Sequence, residues 1–144
     1  MVMQLILGGA FTGKRKVVKE KHQAYSWVSS YNGEIVWDWE TKWANDTTLV
    51  LEGWENWISQ ELKHHKSNDE IREKFRVLFH HLIEEEKKRN NPIILIMLDM
   101  GKGIVPFEKD ERRLRDIAGW ITQDAAKLSE QVEYIWNGLS KKLK

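Results

Sequence analysis

A short apolar run near the amino terminus, Met3-Gln4-Leu5-Ile6-Leu7, leads into Gly8-Gly9-Ala10-Phe11-Thr12-Gly13-Lys14-Arg15. The spacing of Gly8, Gly13 and Lys14 is that of a phosphate-binding loop, G-x-x-x-x-G-K. This pattern fixes much of what can follow. A buried strand must deliver the chain to a turn whose glycines permit positive φ and close backbone approach. The turn's N–H groups then encircle a phosphate at the positive end of the next helix. Lys14 would reach the β- and γ-phosphates as a point charge. Residues 8–15 are therefore the expected nucleotide contact: Gly8, Gly9, Ala10, Phe11, Thr12, Gly13, Lys14 and Arg15. The last of these departs from the motif. Where the pattern calls for a Ser or Thr hydroxyl to ligate Mg²⁺, Arg15 is a permanent cation with no acceptor. The alternative is a glycine-rich turn from strand to helix with no ligand.

Strands and helices alternate along the rest of the chain. Residues 14 to about 23 read as a short basic helix with a solvated surface. Residues 24–30 are rich in aromatic and β-branched side chains and read as a strand. Residues 34–43 carry Trp37, Trp39 and Trp43, with the indoles packing rather than stacking a ligand, and residues 34–39 suit either a strand or an irregular surface segment. Leu49-Val50-Leu51-Glu52 has the form of a Walker B strand, whose acid faces the phosphate loop and can hold Mg²⁺. Trp54, Trp57, Ile58 and Leu62 lie at helical spacing, and the aromatic segments around Trp54 and Trp57 offer more apolar surface than one small domain needs, which suits a subunit interface. Next comes a longer helix from about Asp69, with Ser67 or Asn68 as alternative caps. It ends in Glu84-Glu85-Glu86-Lys87-Lys88-Arg89, read as a solvated tail. Ile93-Ile94-Leu95-Ile96-Met97-Leu98 is a continuous apolar run suited to a strand buried on both faces, and it again ends in an acid, Asp99. From about Asp110 a long amphipathic helix is expected, and residues 131–138 read as a last strand. The order argues an α/β fold with a mostly parallel central sheet and ligands at the strands' carboxyl ends.

Composition limits the alternatives. A chain of 144 residues suffices for one domain with one core. A net charge of +1 gives no electrostatic case for nucleic acid or an anionic membrane as the main partner. The absence of cysteine excludes disulfides and thiolate metal sites and fits a cytoplasmic location. No apolar run approaches the ~20 residues of a membrane span. His64-His65, adjacent on a helix, point different ways and make a poor metal pair.

The tail of the chain carries a resemblance. Gly101-Lys102-Gly103-Ile104-Val105-Pro106, then Arg112-x-x-Arg115-Asp116-Ile117-Ala118-Gly119, then Gly138-Leu139-x-x-Lys142-Leu143-Lys144 resemble one family. It is the bifunctional adenosylcobinamide kinase/adenosylcobinamide-phosphate guanylyltransferase family of cobalamin assembly and salvage. The loop Gly8-Gly9-Ala10-Phe11-Thr12-Gly13-Lys14 is similar to that family's G-G-A-x-S-G-K, and Glu52 stands where the family ends a strand in Glu. The resemblance implies a P-loop NTPase-like three-layer fold, ATP or GTP as cofactor, adenosylcobinamide as acceptor and a homotrimer. It also implies catalytic roles for Lys14, Glu52 and Asp99, with Glu52 and Asp99 left to hold a weakened Mg²⁺ site. There are departures. The family's guanylyl-accepting histidine precedes the Glu-bearing strand, whereas residues 31–46 contain no histidine. Asp99 follows Leu98 where the family has Glu after Asn, and Thr122 replaces Asn before Gln123.

Two functional expectations follow. One is phosphoryl transfer to adenosylcobinamide with the guanylyltransferase half lost. The other is a non-catalytic nucleotide- or corrinoid-binding protein on the same fold. Arg15 bears on both, since a cation at the hydroxyl position predicts nucleotide binding that needs little Mg²⁺, with weak or no transfer.

Overall fold

Alternating burial divides the strand residues between two faces of one sheet. Leu5, Leu49, Leu51, Leu95 and Val132 join a large core on one side, while Ile6, Val50, Ile94, Ile96 and Ile135 join a smaller core on the other. The computed structural model describes residues 3–8, 14–21, 24–64, 67–99, 109–136 and 139–144. These residues form β1 (Gln4–Gly8), α1 (Lys14–Lys21), β2 (Tyr25–Ser29), α2 (Trp39–Lys42), β3 (Thr48–Glu52) and α3 (Trp54–Leu62). They continue with α4 (Asn68–Arg89), β4 (Ile93–Leu98), α5 (Lys109–Leu128), β5 (Gln131–Trp136) and β6 (Leu139–Lys142). The described strands make a six-stranded sheet of order β2-β3-β4-β1-β5-β6. All neighbours are parallel except β5 and β6. The sheet, with Val18 of α1 in the small core and α3, α4 and α5 in the large one, gives the expected three-layer α/β arrangement.

This order places the ligand end of the fold. β1 and β4 are neighbours, with Gly8 opposite Leu98. The connection after β1 runs through α1 on one face, and the connection after β4 runs through α5 on the other. A crevice therefore opens beyond the carboxyl ends of these two strands. Glu52, at the end of β3, lies at the same sheet edge one strand further out.

The large core is built on aromatic rings. Trp54 meets Trp57 nearly perpendicularly with centroids 5.1 Å apart, and lies 6.0 Å from Phe75 and 5.6 Å from Phe79. Its indole N–H donates to the Leu51 carbonyl at 3.0 Å. α4 is capped by Ser67, whose hydroxyl accepts the Glu70 N–H, and it ends at Asn90 in the left-handed region. Arg72 and Arg76 of α4 both donate to the buried Asp124 carboxylate of α5, the shortest bond being 2.8 Å. Their hydrogen bonds hold the Asp124 carboxyl below its ordinary range.

Four expectations are corrected. Residues 34–39 are not a strand: Glu34 and an exposed Ile35 are irregular, and a 3₁₀ turn over Val36–Asp38 then runs into α2. Val36, Trp39 and Trp43 are the buried residues there, and their i, i+3, i+7 spacing is helical, which the alternation of Ile35, Trp37 and Trp39 concealed. The tail of α4 is not wholly solvated, since Glu86 is 1% exposed. One carboxylate oxygen of Glu86 accepts the Ile93 N–H at 2.7 Å and so ties the end of α4 to the start of β4. β5 is not the last strand, because β6 pairs antiparallel with it. Finally, the aromatic surface around Trp54 and Trp57 is not available to a second subunit, since both rings lie in the chain's own core.

Candidate phosphate and acceptor site

Gly8 and Lys14, the two ends of the expected phosphate loop, meet through the lysine side chain. Gly8 closes β1 between β4 and β5. Its carbonyl accepts the backbone N–H of Asp99 at 2.8 Å and faces Lys14 Nζ at 3.4 Å. Gly9, Ala10, Phe11, Thr12 and Gly13 lie outside the described residues. Burial lowers the Lys14 pKa from the ordinary lysine value, opposed by the negative charges of Glu55 and Glu52. An anion brought to this ammonium would oppose that lowering in the same way, by favouring the charged form.

Arg15 follows on the first turn of α1 and turns toward β3. Its Nε donates to Glu52 Oε2 at 2.9 Å and its Nη2 to Oε1 at 2.5 Å, a two-point fork on a carboxylate that is 3% exposed. The guanidinium carbon lies 6.0 Å from the Trp27 ring centroid and 5.9 Å from that of Tyr31. The hydrogen bond to Glu52 raises the Arg15 pKa further. Tyr31 is itself anchored, its hydroxyl donating to Glu55 at 2.6 Å. Burial and that bond push its pKa up.

The turn that presents Glu52 is tightly specified. Gly53 has φ of 86°, and a Cβ added there would sit 1.8 Å from the Ser30 hydroxyl oxygen. Ser30 uses that hydroxyl to donate to the Gly53 carbonyl at 2.7 Å, while accepting from the Asn56 amide at 3.1 Å. Only glycine satisfies both the left-handed backbone and the close approach. The ends of β2 and β3 are thereby locked together beside Arg15.

Asp99 stands one residue past β4, and Tyr134 of β5 donates its hydroxyl to Asp99 Oδ2 at 2.9 Å. Between the sheet end and α5 lies a cleft of about 370 Å³, lined by Asp99, Arg115, Asp116, Trp120 and Gln123 among others. A smaller hollow of about 150 Å³ lies over Arg15, Lys19, Trp27 and Glu52. Among the described residues there is no group of three or more His, Asp or Glu side chains placed to hold a metal. Magnesium, which a loop of this class implies, does not fit the donor set at Glu52, because both carboxylate oxygens accept from Arg15.

The arrangement brings Lys14, Arg15, Glu52 and Asp99 to one edge of the sheet. It leaves the described histidines out. His64 lies past the end of α3, a helix that starts at the site and runs away from it for about 13 Å. His80 and His81 are exposed on α4. Sequence reasoning missed Tyr134, Trp27 and Tyr31 as neighbours of the charged groups. For Tyr134 a signal existed, since a strand at 131–138 beside β1 places it next to the glycine turn. Nothing in the sequence pointed Trp27 and Tyr31 at Arg15.

Comparison with known proteins adds one match. The family model described as cobinamide kinase / cobinamide phosphate guanyltransferase matches residues 19–143. The match spans β2 to β6 and includes Glu52, Asp99 and the α5 residues that line the cleft, and it begins after the phosphate loop. Comparison with individual curated proteins finds no match. With most of its length matched and a mostly parallel α/β sheet consistent with the fold of that family, the chain belongs to the cobinamide kinase / cobinamide phosphate guanyltransferase family.

Proposed function

We propose that residues 1–144 act as one nucleotide-binding domain that takes ATP or GTP at the head of α1 and keeps the kinase half of the family's chemistry. The observation that carries this reading is Lys14, folded back on Gly8 at the carboxyl end of β1, with Asp99 hydrogen-bonded to the same carbonyl. In the proposed reaction the aminopropanol hydroxyl of a cobinamide attacks the γ-phosphorus. A new O–P bond forms, the bond to the bridging β-phosphate oxygen breaks, and the nucleoside diphosphate leaves with that electron pair. Lys14 and Arg15 offset the charge on the phosphates. Asp99 takes the hydroxyl proton, with Tyr134 orienting one of its oxygens. The cleft of about 370 Å³ is at the small end for ligand pockets and far too small for a corrinoid ring system. It suits the aminopropanol arm, with the ring system lying outside.

A second reading is nucleotide or corrinoid binding without turnover. The Arg15–Glu52 pair favours it, since that pair occupies an acid the kinase chemistry would use. Incubation with adenosylcobinamide and γ-labelled nucleotide separates the two: the kinase reading expects label on the corrinoid, and its absence despite nucleotide binding leaves the binding protein. With α-labelled GTP no acid-labile label is expected on the protein, because no described histidine lies at the site. A label lost on His64→Ala or His22→Ala would show that another histidine has taken that role.

The remaining parts of the reading are a cytoplasmic location and a homotrimer. No helix among the described residues is long and apolar enough to cross a membrane. With Trp54 and Trp57 buried, a trimer would draw on other exposed apolar side chains, such as Trp136 and Leu139, which are paired at one end of the β5–β6 ladder, and Leu143 at its other end. Light scattering at micromolar concentration is expected to give three times the 17.1 kDa chain mass, and a monomer mass would remove the trimer.

A further inference from the structure

The phosphate loop pattern assigns two side chains to its divalent ion, the hydroxyl after the lysine and the acid at the end of a neighbouring strand. In this chain those two positions are Arg15 and Glu52, and they are bonded to each other. The fork is two-pointed, Nε to Oε2 at 2.9 Å and Nη2 to Oε1 at 2.5 Å. Its acid is buried, while the Arg15 side chain is 55% exposed. Trp27 and Tyr31 flank the guanidinium, and Tyr31 is held by Glu55.

We infer that the Arg15 guanidinium, locked to Glu52, is a built-in cation that takes the place of the divalent metal, so that this site binds a nucleoside polyphosphate without Mg²⁺. Three physical points support the substitution. A metal ion approaching Glu52 must break a charge-assisted two-point bond and then sit beside a fixed positive charge. Glu52, which holds Arg15, also acts on the Lys14 ammonium, so the half-exposed Arg15 side chain adds positive charge near Lys14 at the head of α1, where a phosphate loop delivers its anion. The flanking rings and Glu52 hold the guanidinium in one orientation, so little side-chain freedom is lost when an anion binds.

The inference rests on the nucleotide reading of the loop for its ligand, so its test has one arm that needs no nucleotide. In ¹⁵N spectra of the unmodified protein, the Arg15 Nε–H should give a resolved, slowly exchanging resonance. Glu52→Gln should collapse it, and 10 mM MgCl₂ should leave it in place. Displacement of that resonance by MgCl₂ alone would overturn the inference. In the second arm, calorimetry with ATP and with GTP should give dissociation constants within about threefold in 5 mM MgCl₂ and in EDTA. Arg15→Ser should make the affinity depend on Mg²⁺ by tenfold or more. A tenfold gain from Mg²⁺ in the unmodified protein would also overturn the inference. If neither nucleotide binds under either condition, the proposed function fails, while the resonance still decides whether Arg15 excludes the metal from Glu52.

Discussion

Truncating Trp54 to alanine is expected to destabilise the fold by about 3–5 kcal/mol, the range for removing a buried aromatic side chain. Trp54 is 2% exposed, makes ring contacts with Trp57, Phe75 and Phe79, and donates its indole N–H to Leu51. The substitution loses ring packing across α3 and α4 and the indole hydrogen bond to the Leu51 carbonyl of β3. Because Trp54 is the first residue of α3, directly after Glu52 and Gly53, the damage also reaches the turn that presents Glu52 to Arg15. Urea unfolding measures the loss. A cost below about 1 kcal/mol would show that this aromatic cluster is not what holds α3 and α4 to the sheet.

Stability should also fall as pH rises through neutrality, because of Glu86. Burial pushes the Glu86 carboxyl up to about 7, with a smaller push from Glu130, while the bond from the Ile93 N–H and the charge of Lys87 act the other way. One of its oxygens is buried without a hydrogen-bond partner. The sign follows from proton binding. Between the unfolded pKa near ~4.3 and the folded value, the folded chain holds a proton that the unfolded chain has released, so rising pH favours unfolding. Below that window Glu86 is protonated in both states and costs nothing. Above it the full cost is present, roughly 3 kcal/mol from the size of the shift. Glu86→Gln, which cannot ionise, is therefore expected to raise stability at pH 8 by about 2–3 kcal/mol and to change it little at pH 4.5. A mutant that gains nothing at pH 8 relative to pH 4.5 would show that Glu86 ionises in the folded protein without penalty.

Much of the architecture was legible because backbone periodicity and burial agree in it. The run Ile93 to Leu98 had to be a doubly covered strand, and it lies at the centre of the sheet between β3 and β1. Helix stripes such as Ile71, Phe75, Leu78 and Leu82 were readable for the same reason, since their spacing is the spacing of a face. What escaped depends on contacts distant in sequence. Glu86 sits in a run of six charged residues, and only the approach of β4 buries it. Trp39 and Trp43 could satisfy either period, and the choice is made by packing, with Arg89 lying 4.4 Å over Trp43. β6 carries Leu139-Ser140-Lys141-Lys142, all exposed, so no buried face marked it in advance.

The site divides in the same way. Gly8, Lys14 and Asp99 could be placed from motif and strand ends, because a parallel sheet brings strand carboxyl ends to one edge whatever the loops do. Glu52 was placed there too, but its engagement was not foreseen. Sequence showed that Arg15 could not ligate a metal; the fold adds that Arg15 reaches across 37 positions of chain to the acid that could have. A departure at one motif position therefore also engages Glu52, one of the two acids expected at the metal.

The central claim is that the head of α1 binds nucleotide phosphates through Lys14. It is tested most directly by calorimetric titration of ATP and GTP into the unmodified protein and into Lys14→Ala. Loss of the ammonium is expected to weaken binding by about 1–3 kcal/mol, the scale of a charge-assisted hydrogen bond, with the mutant's unfolding midpoint little changed. Equal affinities for the two proteins would contradict the claim.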